Sequence, residues 1–482
     1  MMIMRSWLSV LLAFTLLSGC ATNPVSGKRD FVMMSEAQEL ALGQQASAQI
    51  AQQMPMLKDD KLQAYVQGVG QRLAAQSHRS NLNYQFNIVD SSDINAFALP
   101  GGYIYINRGL LAYMNSEAEM AAVLGHEIGH VTARHGVRQQ SMAMGTGLVA
   151  QVLAAGTGIG AAGDLGNMVG TAMVRGYGRD MELEADGLGA EYLARTGYRA
   201  DAVLDVIGVL KDQDTFARQR AEAEGRQIQG YHGLFSTHPT HDQRLQQVVE
   251  QARALSVGVD QRLGQEAYLR AIDGMVFGDS AEQGIVRGQH FYHAGLNMTL
   301  EYPDGWQVRN RPDVLLAHTR DEQAFIALTT ERLTSEPSPS AEALLRQRAG
   351  KATLVQGEAF GAEGYQGYMA VIPGANARRV AVIVRGDQAF LFIGAFRDRG
   401  PLELHDPAYI SVIRSFRGLN RADKALAEPM RIRLHRVRQG DTYARLARQS
   451  PLGEGAEDRL RLLNGHWPDG QPEPGQWLKV VR

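Results

Sequence analysis

The residues with the clearest chemical potential form the string His126-Glu127-Ile128-Gly129-His130. On a helix, positions i and i+4 lie one turn apart on the same face, so both imidazoles can bind one divalent ion. Such an ion lowers the pKa of bound water toward about 7, and Glu127 lies where its carboxylate can take the proton. The pattern predicts one zinc ion per chain, with Glu127 as the general base of peptide hydrolysis. Two surface histidines beside an acid are the alternative.

A zinc peptidase site needs a third protein ligand and one coordination position left for water. One known arrangement places a histidine six residues after the second histidine, but Gly136 occupies that position. His135 is one residue short of that register. We expect His135 to cap the helix or to pack near its C-terminus, where a cation is favoured.

Glu182 is the better candidate for the third ligand, in the string Glu182-Leu183-Glu184-Ala185-Asp186. Glu182 and Asp186 share a helical face, so Glu182 can bind zinc while Asp186 accepts the free N–H of a ligand histidine. Glu184 lies on another side of the helix and is not expected to be a ligand. Taken alone, the segment could also be a solvated acidic helix face.

The helix that carries the two histidines has a clear start signal. Ser116 and Glu119 match a capping box, and apolar residues recur at helical spacing from Met120 to about His135. The sequence therefore predicts that the chemistry is carried by a capped amphipathic helix.

The residues before this helix predict a helical segment over 22–85 and then a small sheet. Tyr84–Val89 alternates like a strand, and a Pro-Gly-Gly turn at 100–102 precedes the β-rich run Tyr103–Ile106. This run could be an edge strand to which an extended substrate backbone adds, or it could be an interior strand.

A glycine-rich, nearly uncharged segment over 142–174 follows the histidine helix. Its repeated glycines and Asp164 argue against a transmembrane helix, which needs about 20 continuous apolar residues. It is either a mobile helical hairpin or membrane-touching flap beside the site, or a buried helical pair. Further helices are predicted over 181–195, 200–210 and 243–255.

The pattern changes after residue 288. Strands and two helices over 288–418 predict a separate α+β domain, and 418–430 is interpreted as a linker. The tail, 430–482, resembles a LysM module, a small βααβ fold often used to bind peptidoglycan. Its middle is irregular for that family, so glycan binding and a purely structural role are both open.

Bulk composition excludes few classes of function. The net charge of −2 gives no field that favours nucleic acid, and the single cysteine, Cys20, cannot close an internal disulfide. Arg5, a short apolar run and Leu17-Ser18-Gly19-Cys20 resemble a bacterial lipoprotein signal over residues 1–20. The resemblance implies cleavage before Cys20, lipid on that residue and anchoring to a membrane. Ala21 favours the outer membrane.

Several ordered motifs together resemble the M48 peptidase family, which includes the CAAX prenyl proteases, the HtpX membrane proteases and periplasmic BepA-like members. The resemblance covers residues 22 to about 250 and defines a domain over 21–262. It rests on the two strings above, on Asn23-Pro24-Val25-Ser26-Gly27, on the segment 95–102, and on Ser236-Thr237-His238-Pro239 with Arg244.

The family resemblance implies a gluzincin-type fold, mainly helical with a small sheet, inside an α+β multidomain chain. It implies zinc on His126, His130 and Glu182, with Glu127 as base. His238 would lie near the zinc, either occupying the fourth position in a latent state or donating to the oxyanion. Arg244 would stabilise the oxyanion, or form an ordinary ion pair.

These features predict a lipid-anchored zinc endopeptidase of the bacterial cell envelope. By resemblance, its substrates would be extended polypeptides, above all misfolded or stalled outer-membrane proteins. The alternative is a non-enzymatic envelope chaperone or a peptidoglycan-bound scaffold whose zinc site stays latent.

Overall fold

The computed structural model describes residues 20–142, 177–223, 250, 254–255 and 262–482, apart from 312–313, 336, 363 and 398–399. The chain divides into two compact units. The first combines the residues up to Phe277 with Arg431–Arg482, and the second is Gly278–Met430. In the part of the chain that the structure describes, no helix combines the length and apolar character needed to cross a membrane.

The first unit begins with a hairpin and two helices rather than with helix throughout 22–85. Strands β1 (Cys20–Thr22) and β2 (Arg29–Phe31) pair antiparallel. The prediction of helix is wrong here because the Asn23 side chain accepts the N–H groups of the two residues that start the turn. Helices α1 (Glu36–Gln53) and α2 (Asp60–Ala74) follow.

A three-stranded sheet follows these helices, as the sequence predicts. Its strands are β3 (Gln85–Val89), β4 (Ala96–Leu99) and β5 (Tyr103–Asn107), in the order β3-β5-β4. The edge-strand hypothesis for 103–106 is wrong, because β5 pairs parallel with β3 on one side and antiparallel with β4 on the other. Strand β4, which precedes β5 in the chain, lies at an edge of this sheet.

Helix α3 (Arg108–Tyr113) leads into α4 (Glu117–Thr132), the helix that carries the histidines. The Ser116 hydroxyl accepts the N–H of Glu119 at 3.1 Å, as an N-cap should. Helix α4 is buried along nearly its whole length. It ends at Thr132, three residues earlier than predicted, because Arg134 adopts a left-handed backbone conformation with φ of 57°.

The remaining helices of the first unit surround α4. They are α5 (Arg179–Arg195), α6 (Ala202–Ala223) and α7 (Gln265–Ile272), and the short strand β6 (Val276–Phe277) follows. The first two confirm the helices predicted near 181–195 and 200–210. The glycine-rich segment and most of the helix predicted over 243–255 lie outside the described residues.

The second unit contains helices and two sheets, and its range Gly278–Met430 is wider than the 288–418 of the predicted α+β domain. It contains a small antiparallel sheet of three strands: β7 (Ile285–Arg287), β8 (His290–His293) and β9 (Met298–Glu301). Its large sheet is antiparallel, with strand order β10-β11-β12-β16-β15-β14-β13. Those strands are β10 (Gln307–Asn310), β11 (Leu315–His318), β12 (Ala324–Arg332), β13 (Val355–Ala362), β14 (Tyr365–Ile372), β15 (Arg378–Arg385) and β16 (Gln388–Phe396).

Helices cover both faces of the large sheet and give the second unit two apolar clusters. Helix α8 (Ala341–Ala349) packs on one face and α9 (Asp406–Arg414) on the other. Helix α10 (Arg421–Leu426) lies within the segment interpreted as a linker.

The C-terminal tail consists of a strand, two helices and a strand, and it belongs to the first unit. Its elements are β17 (Met430–Arg436), α11 (Tyr443–Ala447), α12 (Ala456–Leu463) and β18 (Trp477–Val481). Strand β17 pairs with β18 on one side and with β6 on the other. The tail thereby extends a sheet of the domain that carries the histidines.

Candidate active site

Close packing of α4 against α5 brings the two predicted motifs together. A Cβ atom added at Gly129 would lie 2.9 Å from the Ala185 carbonyl oxygen, and one added at Gly125 would lie 3.3 Å from the Gly189 carbonyl oxygen. Glycines on the facing sides of both helices therefore allow the two backbones to approach closely. The sequence strings around residues 126 and 182 meet because of this contact.

His126, His130 and Glu182 form one compact group. Their potential ligand atoms all lie within 4.8 Å of one another. The two Nε2 atoms are 3.0 Å apart, and each lies 3.6 Å from a Glu182 carboxylate oxygen. Two tetrahedral ligands at zinc distances would be separated by about 3.3 Å, so the group has the spacing and the donor chemistry of a zinc site.

The group is buried but not sealed. Glu182 is fully buried and His130 almost so, whereas 13% of the His126 side chain is exposed. Glu127 is also buried, one residue from His126 on the same helix. A site of this kind can exclude most water while leaving one side for a substrate.

Asp186 lies where the sequence predicts it. Its carboxylate is 2.8 Å from Nδ1 of His126, so it accepts that N–H when Nε2 faces the Glu182 group. This contact fixes the ring and its tautomer.

His135 packs near the C-terminus of α4, as expected, and it also contacts a predicted ligand. Nδ1 of His135 lies 2.8 Å from Nδ1 of His130, and its Nε2 lies 3.1 Å from Oε2 of Glu184. Of the two alternatives, packing near the helix C-terminus is the one that the structure shows. The left-handed Arg134 turns the chain, so that His135 lies beside a ligand histidine.

As expected, Glu184 is not among the residues that could hold a metal ion together. Burial alone would raise its pKa, but hydrogen bonds from His135 and Arg138 outweigh that effect and lower the pKa to about 2. Burial lowers the pKa of His135, against the opposing hydrogen bond to Glu184. A neutral imidazole therefore lies between His130 and a carboxylate.

Tyr177 is a residue that sequence reasoning missed. Its ring stacks on that of His130, with centroids 4.1 Å apart and an interplanar angle of 21°. Burial raises its pKa, and the nearby charges of Glu127 and Glu182 raise it further. No local motif marks this tyrosine, because it precedes α5 and only the fold brings it to the histidine.

The other end of α4 is held by a buried carboxylate. Glu117 accepts hydrogen bonds from Tyr65 at 2.5 Å and Tyr198 at 2.6 Å. It also pairs with Arg72 at 2.9 Å and Arg262 at 2.8 Å. An acidic group at a helix N-terminus is favoured by the helix dipole, and here four side chains from outside α4 also hold it.

His238 and Arg244 lie outside the described residues, and so does the side chain of Cys20. The structure therefore brings together four of the predicted site residues, His126, His130, Glu182 and Asp186, and the buried Glu127 is next to His126 on α4. It adds His135, Glu184 and Tyr177 around them.

A potential metal group on an H-E-x-x-H helix, with a carboxylate from a second helix, defines a metallopeptidase domain. Residues 60–252 match the model for peptidase family M48. This match confirms, for that part of the chain, the resemblance found in its sequence.

Individual relatives match the same part of the chain. It is 32% identical to the beta-barrel assembly-enhancing protease of Yersinia pestis over 221 residues, which are 44% of this chain and 43% of that protein. It is 29% identical to the beta-barrel assembly-enhancing protease of Escherichia coli K12, covering 46% of each chain. It is 35% identical to the mitochondrial metalloendopeptidase OMA1 of Arabidopsis thaliana, covering 28% of each. The chain spans less than half the length of each of these relatives.

Proposed function

We propose that the chain is a zinc-dependent endopeptidase that cleaves polypeptides in the bacterial cell envelope. The observation that carries the proposal is the convergence of His126, His130 and Glu182 from two helices, with ligand atoms within 4.8 Å of one another. Two imidazoles and one carboxylate are a ligand set that zinc accepts while one position stays open.

Each residue has a defined part in this proposal. His126, His130 and Glu182 hold the ion, which supplies Lewis-acid activation of the substrate carbonyl and of water. Glu127 takes a proton at its carboxylate and later delivers it to the leaving amine. Asp186 keeps the His126 ring in the orientation that directs Nε2 toward Glu182.

The substrate backbone would bind along β4 rather than β5. Among the described strands, β4 pairs only with β5, so its other edge can receive an extended chain. Residues 98–100, at the end of β4, line a depression together with His130 and Tyr177. A polypeptide added to this edge would therefore pass beside the histidine group.

Two residues outside the described part of the chain complete the proposed site. His238 would occupy the open metal position in a latent state or donate to the oxyanion, and Arg244 would stabilise the oxyanion. The family resemblance of 236–244 supports both assignments.

The proposed location and substrates rest on the sequence and on the relatives. The signal-like residues before Cys20 support a lipid anchor, and Ala21 supports the outer membrane facing the periplasm. Relatives named beta-barrel assembly-enhancing proteases support quality control of misfolded or stalled outer-membrane proteins as the role. The strand-helix-helix-strand tail would contact peptidoglycan if it is a LysM module.

The test is digestion of an unfolded β-barrel protein by the purified chain and by Glu127→Gln. We expect the variant to keep one zinc per chain and to lose activity by about 10²–10⁴-fold, the usual contribution of a general base. Equal behaviour of the two proteins would contradict the proposal and would favour a scaffold with a latent zinc site.

A further inference from the structure

His135 is a third histidine whose position depends on a break in the helix. In a continuous helix, five residues of separation would rotate its side chain about 140° away from His130. Helix α4 instead ends at Thr132, and Arg134 takes a left-handed conformation with φ of 57°. After this break, the two Nδ1 atoms lie 2.8 Å apart.

The left-handed turn is itself held from a distant helix. Nε of Arg134 donates to Oε2 of Glu39 at 2.8 Å, and Glu39 also pairs with Arg79 at 2.7 Å. All three side chains are buried or nearly so. A conformation that is uncommon outside glycine persists where surrounding contacts hold it in this way.

We propose that His135 is a positioning residue for the metal ligand His130: it accepts the Nδ1–H of His130 and is itself oriented by Glu184. This inference rests on the proposed zinc site. If the proposal holds, His135 increases zinc affinity although it lies outside the H-E-x-x-H motif.

The direction of each hydrogen bond follows from the chemistry of imidazole. Nε2 of His130 faces the Glu182 group, so its lone pair is reserved for the ion and the ring proton lies on Nδ1. His130 must then donate, and Nδ1 of His135 must accept. The His135 proton consequently lies on Nε2, which donates to Glu184 at 3.1 Å.

The charges around the chain of hydrogen bonds favour this arrangement. Glu184 is held as a carboxylate by Arg138, whose Nη1 lies 2.8 Å from Oε2, and Arg138 also faces Asp30 at 3.4 Å. His135 is fully buried, which disfavours the imidazolium form that would place a proton on both ring nitrogens.

The two ligand histidines are thus oriented in different ways. His126 contacts the Asp186 carboxylate directly at 2.8 Å, whereas His130 reaches Glu184 only through His135. Outer partners of metal-bound histidines are usually single carboxylates, carbonyls or waters. In this chain a neutral imidazole has that role on one side of the site.

Zinc affinity of the purified chain, measured by competition with a chromophoric chelator, tests the proposal. We expect His135→Ala to weaken zinc binding by about 10–100-fold, the usual cost of losing an outer partner. His135→Asn places its amide oxygen near the position of Nδ1, so it should bind zinc within about threefold of wild type. His135→Gln places its amide near Nε2 and should bind about as weakly as the alanine variant.

A second substitution separates positioning from general stability. Thr132→Val removes the hydroxyl that bonds the Gly129 carbonyl oxygen at 3.1 Å and the Tyr192 hydroxyl at 3.0 Å, at the same helix end. It should lower the unfolding midpoint in urea without changing zinc affinity.

Several outcomes would overturn the proposal. These are wild-type zinc affinity in His135→Ala, equal affinities of the asparagine and glutamine variants, or a loss in Thr132→Val as large as in His135→Ala. If His135→Ala does not fold, the comparison of asparagine with glutamine decides. Failure of the proposed function has its own signature, since Glu127→Gln would then digest substrate like wild type, or wild type would bind no zinc.

Discussion

The two ends of α4 are built for different tasks. At the C-terminal half, the groups that can bind a metal are polar side chains packed around a small volume: His126, His130 and Glu182 within 4.8 Å. At the N-terminal end, one buried carboxylate, Glu117, is saturated by two hydroxyls and two guanidinium groups.

This difference shows that the fold places metal binding and the stabilisation of α4 at opposite ends of the helix. The histidine group places two imidazoles beside one carboxylate. A bound divalent ion would stabilise this group, and the protein chain does not itself supply that ion. The Glu117 cluster pairs opposite charges and adds stability without a ligand. A change at one end should therefore alter metal binding, and a change at the other should alter folding.

The largest effect is expected from Glu182→Gln, which keeps the shape of the side chain and removes its charge. A neutral amide is a poor zinc ligand, so the variant should retain no zinc after desalting, whereas wild type should retain about one ion per chain. Metal analysis of the desalted proteins measures this directly.

The same variant should leave the metal-free fold intact. Its unfolding free energy without zinc should stay within about 1 kcal/mol of wild type, because the amide fills the same space and can still contact the two imidazoles. Retention of zinc by Glu182→Gln would remove Glu182 from the ligand set.

A smaller effect, on stability rather than on metal, is expected from Glu117→Ala. Four donors lose their acceptor, and the unfolding free energy should fall by about 3 kcal/mol. The two arginines are half-exposed, with 46% and 52% of their side chains accessible, so they can be hydrated again and the loss stays below that of a stranded buried charge. Urea unfolding of the metal-free protein measures the loss.

Glu117→Gln serves as the matched control. It keeps one acceptor oxygen and should lose about half as much stability. Zinc affinity should be unchanged in both variants. A fall in zinc affinity with unchanged stability would show that the two ends of α4 are not separable.

The sequence predicts the C-terminal end of α4 well and the N-terminal end poorly, for a physical reason. His126, Glu127 and His130 lie within five residues, and helical geometry alone places the two histidines on one face. Glu182 and Asp186 also form one local motif. Glycines on α4 and α5 allow the two helices that carry these motifs to pack closely. Each of these is a short-range pattern with a known chemical purpose.

The partners of Glu117 come from residues 65, 72, 198 and 262, which no local pattern connects. The same reason explains why the sequence leaves open whether β5 is an edge or an interior strand: pairing with β3 depends on tertiary contacts that its own residues do not specify. The contact of His135 with His130 could not be predicted, because a left-handed arginine is rare and Glu39, which holds Arg134, lies 95 residues away.

The smallest of the three effects concerns Lys479, which links the tail to the N-terminal end of α4. Its ammonium donates to the carbonyl oxygens of Ala112 at 2.7 Å and Met114 at 2.6 Å, at the end of α3. Burial lowers the pKa of Lys479 to about 7, although the charge of Glu119 opposes the shift. The tail therefore contributes a titrating group to the core of the peptidase domain.

The sign of the pH dependence follows from this lowered pKa. Between pH 7 and the unfolded pKa of about 10.4, the unfolded chain binds the proton that the folded chain has released. Unfolding then takes up a proton, so the unfolding free energy rises with pH by at most about 1.4 kcal/mol per unit. Below about pH 7 both states are protonated, and the cost of burying the charge is fully present.

Lys479→Met removes the ammonium and keeps the apolar stem, so it should abolish this rise. We expect the stability of wild type relative to the variant to increase by about 2 kcal/mol from pH 7 to 9 in urea titrations. Lys61→Met, at an exposed position of α2, controls for the loss of one charge and should show no such trend. A parallel pH profile for wild type and Lys479→Met would mean that Lys479 stays protonated in the folded protein, held by the two carbonyls and by Glu119. The tail would then be attached to the peptidase domain by a permanent charge.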